Sequence, residues 1–294
     1  MVHFLTGAVV GLGGERVLGE WRTFVVAAVV WAVGLNGGTL ALNSAFDRDE
    51  GDVGYLDAPP PVAWWLVPFS LLFLFGGQAI ALLFGLPFAG AYFVCLIMSL
   101  FYSVPPFRWK RLAGVDLVIN CFGYGFWTFV AGALVLPLPL EDLLANAIED
   151  PRTALLQSPY LAERIGLPTL CVGAGFFFLF GALYPLTQLY QVEEDRARGD
   201  LTLVLWLGPR TSVLFALLCA VLAHGCFALA VMPGQVWRDV YTVLILSLLC
   251  WSSLLLLWYV GFHRFDHQRG MYRALGCWAV TNLSVLLVFG THGR

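Results

Sequence analysis

Apolar runs of about twenty residues recur along this chain, and that is the length a helix needs to cross the hydrocarbon core of a bilayer. Windows of about nineteen residues give eight clear spans, at roughly 24–43, 62–84, 86–102, 113–137, 168–190, 211–232, 240–262 and 274–291. Ahead of them lies a shorter apolar piece, His3 to Leu12, so the count is eight, or nine with a truncated first helix. The predicted fold class is therefore all-α: a polytopic transmembrane helical bundle, read as a single integral-membrane domain over 1–294. Composition agrees, with 60% of the residues hydrophobic and 12% charged, against roughly 45–50% and about 25% in an ordinary soluble domain. A secreted enzyme, a cytosolic Rossmann enzyme and a disordered scaffold are excluded. The strands of a transmembrane β-barrel would alternate polar and apolar over about ten residues, and these runs do not. Met1 to Gly14 carries no basic n-region and no small-residue cleavage site, which predicts no signal peptide.

The net charge of −3 and the absence of a basic stripe predict no nucleic-acid partner. Cys95, Cys121, Cys171, Cys219, Cys226, Cys250 and Cys277 all lie inside or at the edge of apolar runs without a CxxC pair, and read as small core residues. Connections between spans are short except the acidic one from Leu138 to Leu167. If the loop after the first span is called side one, alternation puts ten of the sixteen Lys and Arg there. Basic residues stay on the cytoplasmic side, so side one is expected to face the cytoplasm of a bacterial inner membrane or its equivalent.

Three polar groups gather on that side. The first is Asn43-Ser-Ala-Phe-Asp47-Arg-Asp49-Glu50-Gly-Asp52, where a helix leaves the membrane. Asn43 and Asp47 are four apart and share a face if the helix continues. Hard oxygen ligands of this kind suit Mg²⁺, which shares its shell with water and substrate phosphates; a solvated acidic loop would have the same composition. The second is Gln191-Val-Glu193-Glu194-Asp195, then Asp200, at the end of another span, with Gln191 and Asp195 repeating the spacing. A two-metal clamp on a diphosphate needs two such acidic ends; two independent solvated loops would look alike. The third is Tyr102-Ser-Val-Pro105-Pro106-Phe-Arg108-Trp-Lys110-Arg111, followed by Asp116 and Asn120. Its prolines bar a continuous helix, and its cations suit phosphate oxygens or anchor the loop to the inner leaflet. Asp116 and Asn120 fall just inside an apolar span, where polar groups line a cavity or find partners.

These segments resemble the UbiA superfamily of intramembrane aromatic prenyltransferases. Asn43 and Asp47 match the first two positions of its Asn-x-x-x-Asp-x-x-x-Asp helix end, while Gly51 stands at the third with Asp52 one beyond. Tyr102-Ser-x-Pro-Pro-x-Arg108-x-Lys110, with the later Asp116 and Asn120, resembles the family's basic turn. In the second acidic motif Gln191 replaces the first Asp, Asp195 matches the second, and Glu194 is a substitute ligand. The resemblance runs from about Asn43 to Gly208. It implies a nine-helix fold and Mg²⁺-dependent transfer of a polyprenyl group from its diphosphate to a lipid-soluble acceptor such as a quinone precursor, through an allylic carbocation. It assigns Asn43, Asp47 and Asp52 to one Mg²⁺ and Gln191, Glu194 and Asp195 to the other. Arg108 and Lys110 contact the diphosphate, Tyr102 helps orient them, Arg111 lies on the same side, and Asp116 and Asn120 shape the wall beneath.

Two other readings share the data. A terpene cyclase of the same fold needs no acceptor. A transporter would carry ionisable residues near the midplane, and mid-span ionisable residues are nearly absent here. The many aromatic residues read mainly as packing and interface anchors. His224 reads as a buried, hydrogen-bonded residue, and His263-Arg264-Phe265-Asp266-His267 as a cytoplasmic loop.

Overall fold

The computed structural model describes residues 1–47, 61–136, 138, 141, 144, 164–231 and 237–292, with the backbone alone for 194, 198, 237, 238, 291 and 292. Asp52, with Asp49 and Glu50, lies outside the described residues, as does most of the acidic connection. Among the described residues there are helices and no strands. Eight helices are long and apolar enough to cross a membrane: α2 Trp21–Asp47, α3 Leu66–Phe84, α4 Leu86–Ser103, α5 Val115–Leu134, α6 Leu167–Gln188, α9 Pro209–Leu229, α10 Asp239–Val260 and α11 His267–Gly290. The all-α, multi-pass membrane architecture expected from the apolar runs is therefore present. The shorter helices include α1 Val2–Leu12 at the start, followed by a six-residue helix Gly14–Gly19, and α7 Val192–Arg198 with α8 Leu203–Leu207 between α6 and α9. The eleven residues of α1 reach about 16 Å, half of the roughly 30 Å hydrocarbon core.

Helix limits differ from the apolar windows by up to seven residues. The last span, expected from 274, starts at His267, because the carbonyl of Asp266 accepts from Gly270 N–H at 2.9 Å and its carboxylate caps Arg269 N–H at 3.0 Å. Capping is local chemistry and takes no account of where the hydrocarbon begins.

The chain forms two compact units: Glu20–Trp109 with Val135–Ser158, and Met1–Gly19 with Lys110–Leu134 and Pro159–Arg294. In the first, α2 carries a wide π-turn over Val30–Gly37 and then continues as α-helix to Asp47. Its Gly34 faces Gly77 of α3, and a Cβ added at Gly34 would stand 2.9 Å from Tyr92 Oη. Small residues let helix backbones approach where lipid supplies no competing hydrophobic force. Trp31, 1% exposed, fills the same region with its ring edge-on to Tyr92 at 5.9 Å. One turn further along, Thr39 and Ser99 exchange a 2.7 Å hydroxyl hydrogen bond between α2 and α4.

In the second unit, α1 lies against α5 backbone to backbone. A Cβ on Gly7 would fall 1.8 Å from the Phe129 carbonyl oxygen, and one on Gly132 would fall 1.9 Å from that of Phe4. Phe176 of α6 stands between Phe129 and Phe227, at 5.4 and 5.2 Å. The buried His224 has both ring nitrogens engaged, Nδ1 with the Ala220 carbonyl at 2.8 Å and Nε2 with Ser247 Oγ at 3.1 Å. Ser247 and Trp251 meet Thr281 in turn, which ties α9, α10 and α11 together. The 263–267 segment is fastened to α10: Trp258 stacks on Phe265 at 5.0 Å and donates its indole N–H to His267 Nδ1 at 2.9 Å. A second wide π-turn, Cys121–Trp127, sits within α5. The seven cysteines are free thiols, three of them buried and Cys250 exposed.

Candidate active site

In the first unit, α2 is unbroken through its last turn, so Asn43 and Asp47 stand one above the other at its end. The basic turn follows α4 and reaches the same place. Pro105 and Pro106 forbid helix, and the chain closes back through Arg108 N–H to the Val104 carbonyl at 3.2 Å. Ser103, buried at the last position of α4, donates its hydroxyl to Asn43 Oδ1 at 3.3 Å. Arg108 Nη2 lies 3.7 Å from Asp47 Oδ1, with the two side chains 28% and 12% exposed. That separation is an ion pair, longer than a charge-assisted hydrogen bond. Two candidate groups sixty residues apart in the chain are thereby brought together.

Arg108 is also the one described non-glycine residue with positive φ, at 39°. Such a conformation costs of order 1–3 kcal/mol, and surrounding structure must hold it. Its Nε is buried without a hydrogen-bond partner among the described residues. Tyr102 lies half-buried beside Ser103.

In the second unit, Lys110 is buried at 8% exposure. Arg111 Nε donates to Asp200 Oδ1 at 2.6 Å. Asp116 is fully buried with both carboxylate oxygens engaged. Oδ1 accepts the Gly114 N–H at 2.9 Å, and Oδ2 accepts Gln188 Nε2–H at 2.8 Å. Gln188 Oε1 in turn faces Val204 N–H at 3.4 Å, while Asn120 Nδ2 donates to the Asp116 carbonyl at 2.8 Å. Asp116 thus joins the start of α5, the end of α6 and the start of α8, and acts here as a positioning residue. Asp116→Asn keeps an acceptor for one of its two donors and turns an NH₂ toward the other. It is expected to destabilise the protein by about 1–3 kcal/mol, read as a lower Tm in detergent.

The second acidic group is not a continuation of its span. α6 ends at Gln188, and Gln191 begins the separate helix α7, its carbonyl accepting Asp195 N–H at 2.9 Å. Gly199, at φ 71°, closes α7 in the left-handed conformation that glycine adopts freely, and Asp200 N–H returns to the Asp195 carbonyl at 3.0 Å. Asp195 is buried, Gln191 half-buried and Glu193 exposed in a 2.8 Å pair with Arg196. Of Glu194 the backbone alone is described. Among the described residues no three His, Cys, Asp or Glu side chains converge.

Ser103 and Gln188 are the contributors that sequence reasoning did not single out. Each is a polar residue in the last turn of an apolar span, and that placement was the available signal. Beyond the acids, Tyr124, Phe180 and Tyr184 stack in a row, at 5.5 and 6.1 Å, along α5 and α6.

No family model matches the chain, and no curated protein matches it. Solved structures do. A UbiA homolog from Archaeoglobus fulgidus, bound to DMAPP and Mg²⁺, superposes with a TM-score of 0.60 at 16% identity, over 97% of this chain and 95% of that one. A structure of a UbiA homolog from the same organism bound to Cd²⁺ gives 0.58 at 16% identity, over 98% and 95%. The likeness spans nearly all of both chains, and with the helices described above it establishes that this chain has the UbiA fold.

Proposed function

We propose that this protein is an integral-membrane, Mg²⁺-dependent prenyltransferase, moving a polyprenyl group from its diphosphate to an aromatic or other lipid-soluble acceptor of the quinone-precursor kind. The observation that supports it best is the pairing of the Asn43–Asp47 helix end with the Arg108 turn, in a chain that shares its fold with a protein bound to DMAPP and Mg²⁺. The donor chemistry fits the metal. A carboxylate and an amide oxygen one turn apart are hard ligands, and Mg²⁺ bound by one or two carboxylates completes its shell with water and phosphate oxygens.

In this reading Asn43, Asp47 and Asp52 hold one Mg²⁺, and Gln191, Glu194 and Asp195 hold the other. When bound, the metal neutralises charge developing on the departing diphosphate. Arg108 and Lys110 donate N–H groups to diphosphate oxygens, and Lys110 does so from a buried position where its charge is weakly screened. Arg111, Asp116 and Asn120 hold the neighbouring backbone through the contacts above. Breaking the allylic C–O bond leaves a delocalised cation, to which the ring faces of Tyr124, Phe180 and Tyr184 are suited. An acceptor carbon then bonds to it and gives up a proton. The active-site loops face the cytoplasm, following the basic-residue count.

Incubating purified protein with farnesyl or geranylgeranyl diphosphate and Mg²⁺ tests this. Diphosphate release that requires an aromatic acceptor is expected. Release with a hydrocarbon product instead means cyclisation, and no release with any acceptor overturns the reading. Gln191 supplies an oxygen ligand without the charge of the aspartate in related motifs. Gln191→Asp is therefore expected to lower the Mg²⁺ concentration for half-maximal activity severalfold, and an unchanged or raised requirement would remove Gln191 from the metal site.

A further inference from the structure

The cation of the basic turn stands beside the carboxylate that the proposed reading gives to the metal, and this has a consequence for how the ligands enter. Asp47 Oδ1 and Arg108 Nη2 are 3.7 Å apart in a partly buried setting. A divalent cation arriving at Asp47 alone meets a fixed guanidinium charge at close range, where screening is weaker than in bulk water. The base of the Arg108 side chain is fixed beside Asp47, and the guanidinium can change partner only within reach of that base. The Arg108 backbone is held at φ 39°, anchored by the 3.2 Å Arg108 N–H to Val104 carbonyl bond behind the two prolines. The pair is nonetheless loose: 3.7 Å is beyond hydrogen-bond length, and Arg108 Nε is buried without a partner among the described residues. The guanidinium therefore retains donors for a second anion.

We propose that Arg108 couples metal and diphosphate binding by exchanging partners. Asp47 passes from Arg108 to the divalent cation as Arg108 passes from Asp47 to a diphosphate oxygen, so the site takes a metal–diphosphate complex in preference to the metal alone. Four charged groups are then paired as two opposite-charge contacts, and no cation faces another without an anion between them. Ser103 keeps Asn43 Oδ1 in place throughout. The inference rests on the assignment of Asp47 to the metal and goes beyond it in making Arg108 the origin of binding order.

The test uses full-length protein in detergent, Mn²⁺ as the spin-active probe, and inorganic diphosphate. In the unsubstituted protein Mn²⁺ alone is expected to bind weakly, and the Mn²⁺–diphosphate complex at least about tenfold more tightly. Arg108→Gln is expected to tighten binding of Mn²⁺ alone severalfold, through loss of like-charge repulsion, and to remove most of the gain from diphosphate. Arg108→Gly deletes the same charge while tolerating positive φ, so it gives the same result if the glutamine variant misfolds. Asp47→Asn should abolish the Arg108-dependent difference. Mn²⁺ affinity that is unchanged or weaker in both Arg108 variants, with the diphosphate gain intact, overturns the exchange while leaving the metal site standing. Absence of Mn²⁺ binding in the unsubstituted protein, with and without diphosphate, overturns the metal assignment and the exchange with it.

Discussion

Asp47→Ala should leave a folded protein whose rate of diphosphate release is lower by about a thousandfold, the size expected when several kcal/mol of metal-borne charge stabilisation are lost. The fold should survive, because Asp47 is the last residue of α2 and its replacement removes no apolar packing. The two effects are read separately, by turnover with farnesyl or geranylgeranyl diphosphate and by Tm with size-exclusion profile in detergent. Asp47→Asn belongs in the same series: it keeps one oxygen ligand, and its activity should fall between the alanine variant and the parent. An Asp47→Ala protein with near-normal turnover would show that the helix end is an ordinary solvated terminus.

The largest stability effect is expected far from the acids. Gly7→Ala and Gly132→Ala each place a methyl group within 2 Å of a backbone carbonyl oxygen on the facing helix. No rotamer relieves that clash, so α1 and α5 must move apart and surrender the packing between them. A cost of about 3 kcal/mol or more is expected for each, at the upper end for overpacking. Thermal unfolding in detergent measures it. Gly90→Ala is the internal control, since nothing stands within 4 Å of its added Cβ. There the helix propensity of alanine should leave Tm unchanged or raise it. If all three variants melt alike, the contact between α1 and α5 is not made in the protein.

The eight spans were legible because each buries a helix-length apolar run, and hydrocarbon enforces that length. The Asn43–Asp47 face was legible for the same kind of reason, one helical turn being four residues wherever the helix persists. Partners across the fold were not. Ser103 meets Asn43 sixty residues away, and Gln188 meets Asp116 seventy-two away; a polar side chain in an apolar run announces that it needs a partner without saying on which helix. The break between Gln188 and Val192 was equally hidden, because the intervening Leu-Tyr-Gln carries no glycine or proline. Arg111 read as one more phosphate-facing cation, and its 2.6 Å bond to Asp200 depends on where Gly199 ends α7. The short α1 followed from its sequence, but its backbone contact with α5 depends on glycines whose neighbours only three dimensions supply.

The wide turn at Val30–Gly37 lies about two helical turns before Asn43 on the same helix. An α-helix advances about 100° per residue, so the compass bearing of everything beyond the widened segment depends on the extra residue it accommodates. Removing a single residue there would rotate Asn43 and Asp47 together through more than a quarter of a circle, with their mutual spacing intact. The aim of the Asn43–Asp47 pair is thus written in a largely apolar stretch of the span, where insertions and deletions can redirect it while the pair itself stays the same.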